Sequence, residues 1–379
     1  MPIFDQGYQH WSGELSGHAW RWLAITRHGV RVGAKSRIVR IFLLIAWLPA
    51  LGLVATLCLW GLIERQSDLI SSIMPMLAFL GRTIVADPKH YRVEVWTICY
   101  DYFLLTELRL SMILILLIGP SLISQDLRFN ALPLYFSRPL GRLDYFLGKL
   151  GVIAVFLGAV IIVPCLLAYV LGLAFSLDGS IFKDTLGILG ASLLYGLVIV
   201  LSAGALILAL SSLSRNSRYI ALFWLGLWFV SGVVGTVLDG VNHEQQRHAH
   251  FQQAMRTARP PRWTGDRQQW QREQRAWQQA QQKMWADIQT EEFESAKRDW
   301  RPLFSYTMNL SRIGQHLLGT NHAWQEMSQV QPPPQRPRFL LTFMGPQYPW
   351  YWSAGVLIGL FGLSAWILNA KIKSLDRLK

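Results

Sequence analysis

The stretch Ser121–Lys149, SLISQDLRFNALPLYFSRPLGRLDYFLGK, decides the fold of this chain because it is a polar break between two long apolar runs. A segment between two membrane spans lies on one face of the bilayer, and its charge indicates which face. The basic residues outnumber the acidic ones: Arg128, Arg138, Arg142 and Lys149 stand against Asp126 and Asp144. The positive-inside tendency therefore predicts that the stretch lies in the cytoplasm, where a soluble partner can reach it.

The composition around this stretch is that of a membrane protein. Of 379 residues, 52% are hydrophobic and only 16% are charged, whereas a soluble domain has about a quarter charged residues. Six apolar stretches are long enough for a hydrocarbon core of about 30 Å, which takes roughly 20 helical residues. The predicted spans are Ile41–Ile63, Phe103–Ile123, Leu147–Phe175, Leu186–Leu213, Arg218–Leu238 and Trp350–Ala370. The predicted fold class is therefore an all-α membrane protein with six transmembrane helices.

The charges of alternate connections predict the topology. Residues 1–40, the turn Ser214–Arg218 and the C-terminal tail are basic, whereas 64–101 and 176–185 are not. Six spans with cytoplasmic N and C termini satisfy this pattern. The first span lacks a small-residue cleavage site, so it is not read as a removable signal peptide. The expected location is a bacterial cytoplasmic (inner) membrane.

This topology divides the chain into four parts. The predicted parts are a cytoplasmic N-terminus (1–40), spans one to five with the loop 121–149 (41–238), an extracytoplasmic helical domain (239–349), and span six with a basic tail (350–379). The net charge of +13 is spread over both membrane faces. Nucleic-acid binding is therefore not expected, since it needs basic residues gathered in one patch.

The polar break also carries a family resemblance. Ile123–Asp126, Ala131–Pro139, Asp144–Tyr145 and Gly148–Lys149, in this order, resemble the first cytoplasmic loop of ABC-2-type permease subunits. In that family the loop carries the coupling helix, which docks on an ATP-binding subunit. The short turn Leu210–Arg218 resembles the second cytoplasmic turn of the family.

The resemblance implies a function, partners and contact residues. It implies the permease subunit of an ABC transporter, with export as the favoured direction. Two copies of a separate ATP-binding subunit, a second permease chain (the same or different) and membrane lipid are the implied partners. ATP and Mg²⁺ would bind to the partner subunit, so no cofactor is expected in this chain. The residues expected to contact and couple to the ATPase subunit are Asp126, Arg128, Pro133, Tyr135, Ser137, Arg138, Pro139, Arg142, Asp144 and Lys149.

The prolines of the break predict two short helices with a bend between them. Pro139 can open a helix that continues to Lys149, because a missing N–H costs nothing in a first turn. Pro133 disfavours helical geometry at the residue before it. Arg138 and Arg142 would share a face if the second helix starts early enough, and could fork onto carboxylates of a partner. Contact with lipid phosphates or plain anchoring are the alternative roles.

Residues 17–37 predict an amphipathic helix at the membrane interface. Trp22, Leu23, Ile25, Val30 and Val32 fall on one arc of a helical wheel, and basic residues fall on the other. ABC-2 permeases have a similar helix along the inner leaflet, where it touches the ATPase. A simple surface anchor is the compatible alternative.

Glu107 and Arg109 are charges close to a predicted span. Ionisable residues inside a bilayer are costly and often functional, which makes both candidates for a substrate path. Alternatively, they lie at the outer interface beside Tyr100, Tyr102 and Phe103.

The loop 239–349 is the individual feature of this chain. Trp263, Trp270, Trp277 and Met284 recur every seven residues, and the segment Asp266–Trp300 contains no Gly or Pro, which predicts a long helix packed on another helix. It would either cap its own chain or meet an extracytoplasmic partner. Beyond it, Leu303–Gly319 resembles the family's outer helix before the last span. The later prolines 332–334 suggest a polyproline connector.

Several classes of function lack their motifs. There is no G-x-x-x-x-G-K-[ST] loop for ATP, no G-x-S-x-G and no H-E-x-x-H, so the chain is not expected to be an enzyme. His243, His248 and His250 lack a complete ligand set for a metal. A secondary transporter, which would use buried charges and inverted repeats, and a membrane scaffold remain open alternatives. The sequence does not identify a substrate.

Overall fold

The computed structural model describes residues 20–65, 84, 86–136, 140–176, 179–238, 240–241, 267–280, 297–330 and 348–373. Within these ranges the secondary structure is helical and contains no strand. In chain order the helices are α1 (Arg21–Lys35), α2 (Arg37–Ala46), α3 (Leu48–Glu64), α4 (Arg92–Ile118), α5 (Ser121–Arg128), α6 (Leu132–Phe136), α7 (Arg142–Val160), α8 (Ile162–Ser176), α9 (Ser180–Leu213), α10 (Ser217–Leu225), α11 (Tyr306–Leu318), α12 (Thr320–Val330) and α13 (Trp350–Lys373). Residues 267–280 form a further helix.

Six helical segments are long and apolar enough to cross a membrane, which confirms the predicted fold class. They are Arg37–Glu64, Arg92–Arg128, Arg142–Ser176, Ser180–Leu213, Ser217–Leu238 and Trp350–Lys371, here called spans 1 to 6. The bundle has a loop end, which carries residues 119–142, and a far end opposite to it. On which side of the membrane the two termini lie stays a prediction.

The helix of span 2 begins at Arg92, so it extends eleven residues before the predicted span Phe103–Ile123, which it contains. The hydropathy pattern did not include the first turns of α4 in the span, because these turns contain Arg92 and Asp101. Both side chains are buried in the bundle, as are those of Trp96 and Tyr100. Trp96 packs against Gly172 of span 3, where an added methyl group would lie 2.7 Å from the indole ring. The first turns of α4 thus form a closely packed part of the bundle.

Bends and turns in the spans have local causes. Span 1 bends at Trp47, where Pro49 stands in the first turn of α3, and span 3 bends at Ile161, three residues before Pro164. Proline removes a backbone hydrogen bond and clashes with the preceding turn, which explains both bends. Span 5 contains a π-helical turn, Gly226–Val230.

Helix α1 is present where the amphipathic helix was predicted, but its packed face differs from the predicted apolar arc. Leu23 and Val32 are exposed, whereas Thr26 is buried and donates a hydrogen bond from Oγ1 to the Gly148 carbonyl, 2.9 Å away. Gly29 also faces α7, since a methyl group there would lie 2.5 Å from Val152. Small residues let the two backbones approach, so α1 is docked on span 3 through its small face.

Helices α11 and α12 pack within the bundle against spans 2, 4 and 6. Ser305 caps the start of α11 by accepting a hydrogen bond from the backbone N–H of Met308, and Gly319 ends it with φ 69°, a conformation that favours glycine. The Tyr306 hydroxyl lies 2.9 Å from the Ser202 hydroxyl, and Ser202 is about 33 Å along α9 from Ser180 at 1.5 Å per residue. The start of α11 is therefore deep between the spans.

Apart from α11 and α12, the structure describes only some residues of the predicted domain 239–349. Trp270 and Trp277 lie in the helix 267–280, in agreement with the predicted helical segment. Trp263, Met284, the three histidines at 243, 248 and 250, and the prolines 332–334 lie outside the described residues. The limits of the four predicted parts stay predictions.

Candidate functional site

The loop between spans 2 and 3 has the predicted helix-break-helix form. Helix α5 ends at Arg128, Asn130 turns the chain with φ 53°, and α6 starts at Leu132. Pro133 stands in the first turn of α6, where its missing N–H is harmless. The break thus falls before Leu132, and this residue is itself helical.

The second helix of the loop starts later than predicted. Helix α7 begins at Arg142, not at Pro139, because the Asp144 carboxylate accepts a hydrogen bond from the backbone N–H of Gly141 at 3.0 Å. A carboxylate at this position satisfies a backbone donor at the helix start. The predicted shared face of Arg138 and Arg142 is not tested, because Arg138 lies outside the described residues. Ser137, Arg138 and Pro139 lie outside the described residues.

A buried ion pair holds the loop against span 3. The Lys149 ammonium lies 2.6 Å from the Asp126 carboxylate, and their side chains are 11% and 15% exposed. The buried Tyr145 hydroxyl donates a hydrogen bond to the same carboxylate oxygen at 2.7 Å. Asp126 and Lys149 were both expected to contact a partner. The structure brings the two side chains together, so they fix α5 on α7, and their contact with a partner stays a prediction.

Aromatic rings enclose this ion pair. The Lys149 ammonium lies 5.9 Å from the ring centroid of Tyr135 and 5.5 Å from that of Tyr145, within cation–π range. The two rings meet edge to face at 5.4 Å. Burial raises the pKa of the Tyr135 phenol, and the nearby Asp126 carboxylate raises it further. Helix α6 is thereby joined to the same cluster.

Ser211 ties the loop to span 4. Its hydroxyl accepts hydrogen bonds from the backbone N–H groups of Ile123 and Ser124 at 3.1 and 3.0 Å. It donates to the Pro120 carbonyl at 2.9 Å. Ser211 is completely buried, so α5 has a rigid contact with the last turn of α9. The sequence analysis did not single out Ser211 because serine is common in such turns.

The outward surface of the loop is apolar at three points, here called the loop patch. Phe129, Leu134 and Leu143 expose 72%, 71% and 75% of their surface. Arg128 lies next to the patch, with its guanidinium 5.6 Å from the Phe129 ring centroid. Large apolar side chains exposed beside basic ones are typical of interaction sites.

Glu107 and Arg109 point in different directions. Glu107 is 0% exposed in the interior of the bundle, near the middle of α4, and its place in a substrate path or at the outer interface stays a prediction. Arg109 is exposed on the same helix. Residues two apart on a helix are about 200° apart, which explains the separation.

The far end contains an ion cluster that the sequence analysis missed. The Arg92 guanidinium binds both Glu64 carboxylate oxygens, at 2.8 and 3.1 Å, and the Asp184 carboxylate at 2.9 Å. Hydroxyls complete it: Ser180 accepts from Arg92 and Ser176 donates to Glu64. The cluster joins spans 1 to 4. A signal was available for two of these residues, because Glu64 and Asp184 lie close to predicted span ends, whereas Arg92 lies eleven residues before the predicted start of the second span.

Metal ligation is not supported in the part of the chain that the structure describes. No group of three or more His, Cys, Asp or Glu side chains is arranged there to hold a metal ion. Cys165 is buried, while Cys58 and Cys99 are partly buried.

A family comparison agrees with this architecture of spans and loop. Residues 25–323 match the family described as ABC-2 family transporter protein, and this range is more than half of the 379 residues. The chain therefore belongs to the ABC-2 family, and as a member it is a multi-pass permease subunit of the ABC transporter class, which generally has no enzymatic activity of its own. A comparison with curated proteins finds no match.

Proposed function

We propose that this permease is the membrane half of an ABC exporter in a bacterial inner membrane, driven through the loop 121–149. Two copies of a separate ATP-binding subunit bind ATP and Mg²⁺ and dock on this loop. A second permease chain completes the translocation path. Closure of the ATP-binding subunits moves the loop, and the loop moves the spans so that access to the path alternates.

The observation that carries this proposal is the pair of rigid attachments of α5. The Asp126–Lys149 ion pair connects α5 to span 3, and Ser211 connects it to span 4. A buried ion pair with good geometry and an added hydrogen bond resists separation, because parting it leaves an unpaired buried charge. A push on α5 or α6 is therefore passed to two spans and is not absorbed in the loop.

The loop patch supports docking of a partner at this point. Phe129, Leu134 and Leu143 give the apolar centre that a stable contact needs, and the neighbouring basic residues suit an acidic rim on the partner. Arg128, Ser137, Arg138, Pro139, Arg142 and Asp144 stay proposed contact residues around this centre.

The first test is a mild-detergent pull-down of the tagged chain from its native membrane, with mass spectrometry of the copurified proteins. A stoichiometric protein with a P-loop is the expected result. Leu134→Glu and Phe129→Glu should reduce its recovery about tenfold each, since a lost central contact of about 1.4 kcal/mol has that effect. Leu134→Met and Phe129→Leu are the matched controls. Absence of a P-loop protein, even after crosslinking at the loop, would favour the scaffold alternative.

Arg109 is proposed to line the translocation path. Its side chain is exposed about 25 Å along α4 from Arg92, so it lies deep in the membrane-spanning part. An arginine in contact with lipid tails costs about 2.5–3.5 kcal/mol or more, which favours a water-filled path or a second chain as its neighbour. Glu107 stays a proposed part of this path behind the exposed face. Arg109→Gln should change transport and leave recovery of the ATP-binding partner unchanged.

The domain 239–349 is proposed to meet an extracytoplasmic partner through its helix 267–280. The supporting observation is that α11 and α12, which follow this helix, are fixed within the bundle. Crosslinking from Gln271, which is exposed in this helix, tests the idea. Adducts with an envelope protein support it, and adducts only within the chain indicate a cap.

A further inference from the structure

Glu107 lies near the middle of α4, far from both of its ends. It is 15 residues after Arg92 and 11 residues before Ile118, which are the two ends of α4. At 1.5 Å per residue, the two helix ends are about 22 Å and 16 Å away. A Glu side chain cannot reach either end of the helix over such distances, so the surrounding spans supply its environment.

Within the described residues, the carboxyl group of Glu107 has no hydrogen-bond partner. Glu107 is 0% exposed, and neither of its side-chain oxygens has a hydrogen-bond partner within the described residues. Ser111 stands one turn further on the same face, is also 0% exposed, and its hydroxyl is likewise without a partner there. Two buried polar side chains without a hydrogen-bond partner among the described residues thus stand one helical turn apart on α4.

Three basic groups of the described part of spans 2 and 3 are directed away from Glu107. Arg109 is turned away from Glu107 and is exposed. Arg92 binds Glu64 and Asp184, and Lys149 binds Asp126. The titratable neighbour on another span is the Cys165 thiol of span 3, which does not supply a positive charge. On its own helix, the nearest other acid is Asp101, six residues earlier.

The physical consequence concerns the charge of Glu107. An isolated carboxylate in an apolar interior is far less stable than the neutral acid, and such a group takes up a proton instead. We propose that Glu107, with Ser111 beside it, is a proton-binding site of the permease and holds its proton in the packed bundle. This inference does not rest on the proposed docking of an ATP-binding subunit.

Proton binding and packing of the spans are then linked. Glu107 can lose its proton only when water or a cation reaches it, which requires the surrounding spans to separate. A bound proton therefore stabilises the packed arrangement relative to an arrangement in which the site is hydrated. Alternating access in this permease would accordingly include uptake and release of a proton at Glu107.

Infrared difference spectroscopy tests the inference on the purified chain in lipid membranes at neutral pH. The spectrum of the wild type minus that of Glu107→Gln should contain the carbonyl-stretch band of one protonated carboxylic acid. Glu64→Gln is the matched control, because Glu64 is buried but bound by Arg92. Its difference spectrum should contain the bands of an ionised carboxylate.

The opposite result for Glu107, an ionised carboxylate in the difference spectrum, would overturn the inference. Thermal unfolding gives a second readout, since glutamine has nearly the shape of a neutral glutamic acid. Glu107→Gln should therefore unfold within about 2 °C of the wild type, which for a large chain corresponds to less than about 1 kcal/mol. Failure of this variant to insert or fold would equally contradict a neutral Glu107.

Discussion

At the scale of single residues, ion pairs stabilise both ends of the bundle. Asp126–Lys149 fixes the loop end, and the Arg92 cluster fixes the far end. Both are buried, so the loss of one partner leaves the other as an unpaired charge. Such a loss costs about 3–5 kcal/mol, whereas replacement of a whole buried pair by apolar residues is often neutral.

Lys149→Met should lower the thermal unfolding temperature of the detergent-purified chain, because it strands the Asp126 carboxylate beside Tyr145. The expected loss is about 3 kcal/mol. The double variant Asp126→Leu/Lys149→Met should recover most of it. If the double variant is as unstable as the single one, packing and not charge determines the effect.

Arg92→Gln should destabilise the chain more than Asp184→Asn does. Arg92 and Glu64 side chains are each 2% exposed, whereas Asp184 is 43% exposed and is well hydrated without its partner. We expect about 3 kcal/mol for Arg92→Gln and about 1 kcal/mol or less for Asp184→Asn, measured by unfolding in detergent. Equal effects would contradict a cluster centred on Glu64 and Arg92.

Sequence reasoning identified residues better than it identified their contacts. Asp126, Tyr135 and Lys149 were selected as one functional group, and the structure does bring them together. Their mutual contact could not be predicted, because Asp126 and Lys149 are separated by a loop whose fold decides it. Ser211 and Arg92 were missed, since the pairing of distant span ends depends on how the helices pack.

At the scale of helices, apolar length predicted six helices able to span a membrane, but not the full length of each helix. The helix of span 2 extends to Arg92 because Arg92 and Asp101 are paired or buried by other spans, which hydropathy does not show. Helix α1 is a second example. The helical wheel separated apolar from basic residues, but it did not show that Ile25, Thr26 and Gly29 contact α7.

Gly148→Ala should loosen α1 from span 3. A methyl group at Gly148 would lie 2.7 Å from the Ile25 Cβ and 3.0 Å from the backbone oxygen of Trp22, so the helices must move apart. Overpacking of this kind costs about 1–3 kcal/mol. The control is Gly187→Ala, where no atom lies within 4 Å of the new methyl group. Protease sensitivity of α1 measures the effect, and equal sensitivity in both variants would contradict the docked arrangement.

At the scale of the whole molecule, the rigid loop predicts a separation of two activities. Arg142→Glu or Arg138→Glu should leave insertion of the complex and ATP hydrolysis in place while transport is lost, because the partner then pushes on a mismatched surface. Arg215→Glu in the other loop-end turn is the control. Normal coupling in both reversed variants would count against the assignment of the loop 121–149 as the coupling site.

Because of the π-helical turn Gly226–Val230, span 5 contains one residue more than a regular α-helix of the same length. A turn of this type accommodates an extra residue without changing the faces that flank it. Removal of one residue within 226–230 should therefore leave Trp224 on Met112 and Gly235 beside Ser305, as they are now. Removal of one residue elsewhere in the span would rotate the following part by about 100°, the angle between neighbouring helical residues. Span 5 should thus tolerate the loss of one residue at these five positions, and only there.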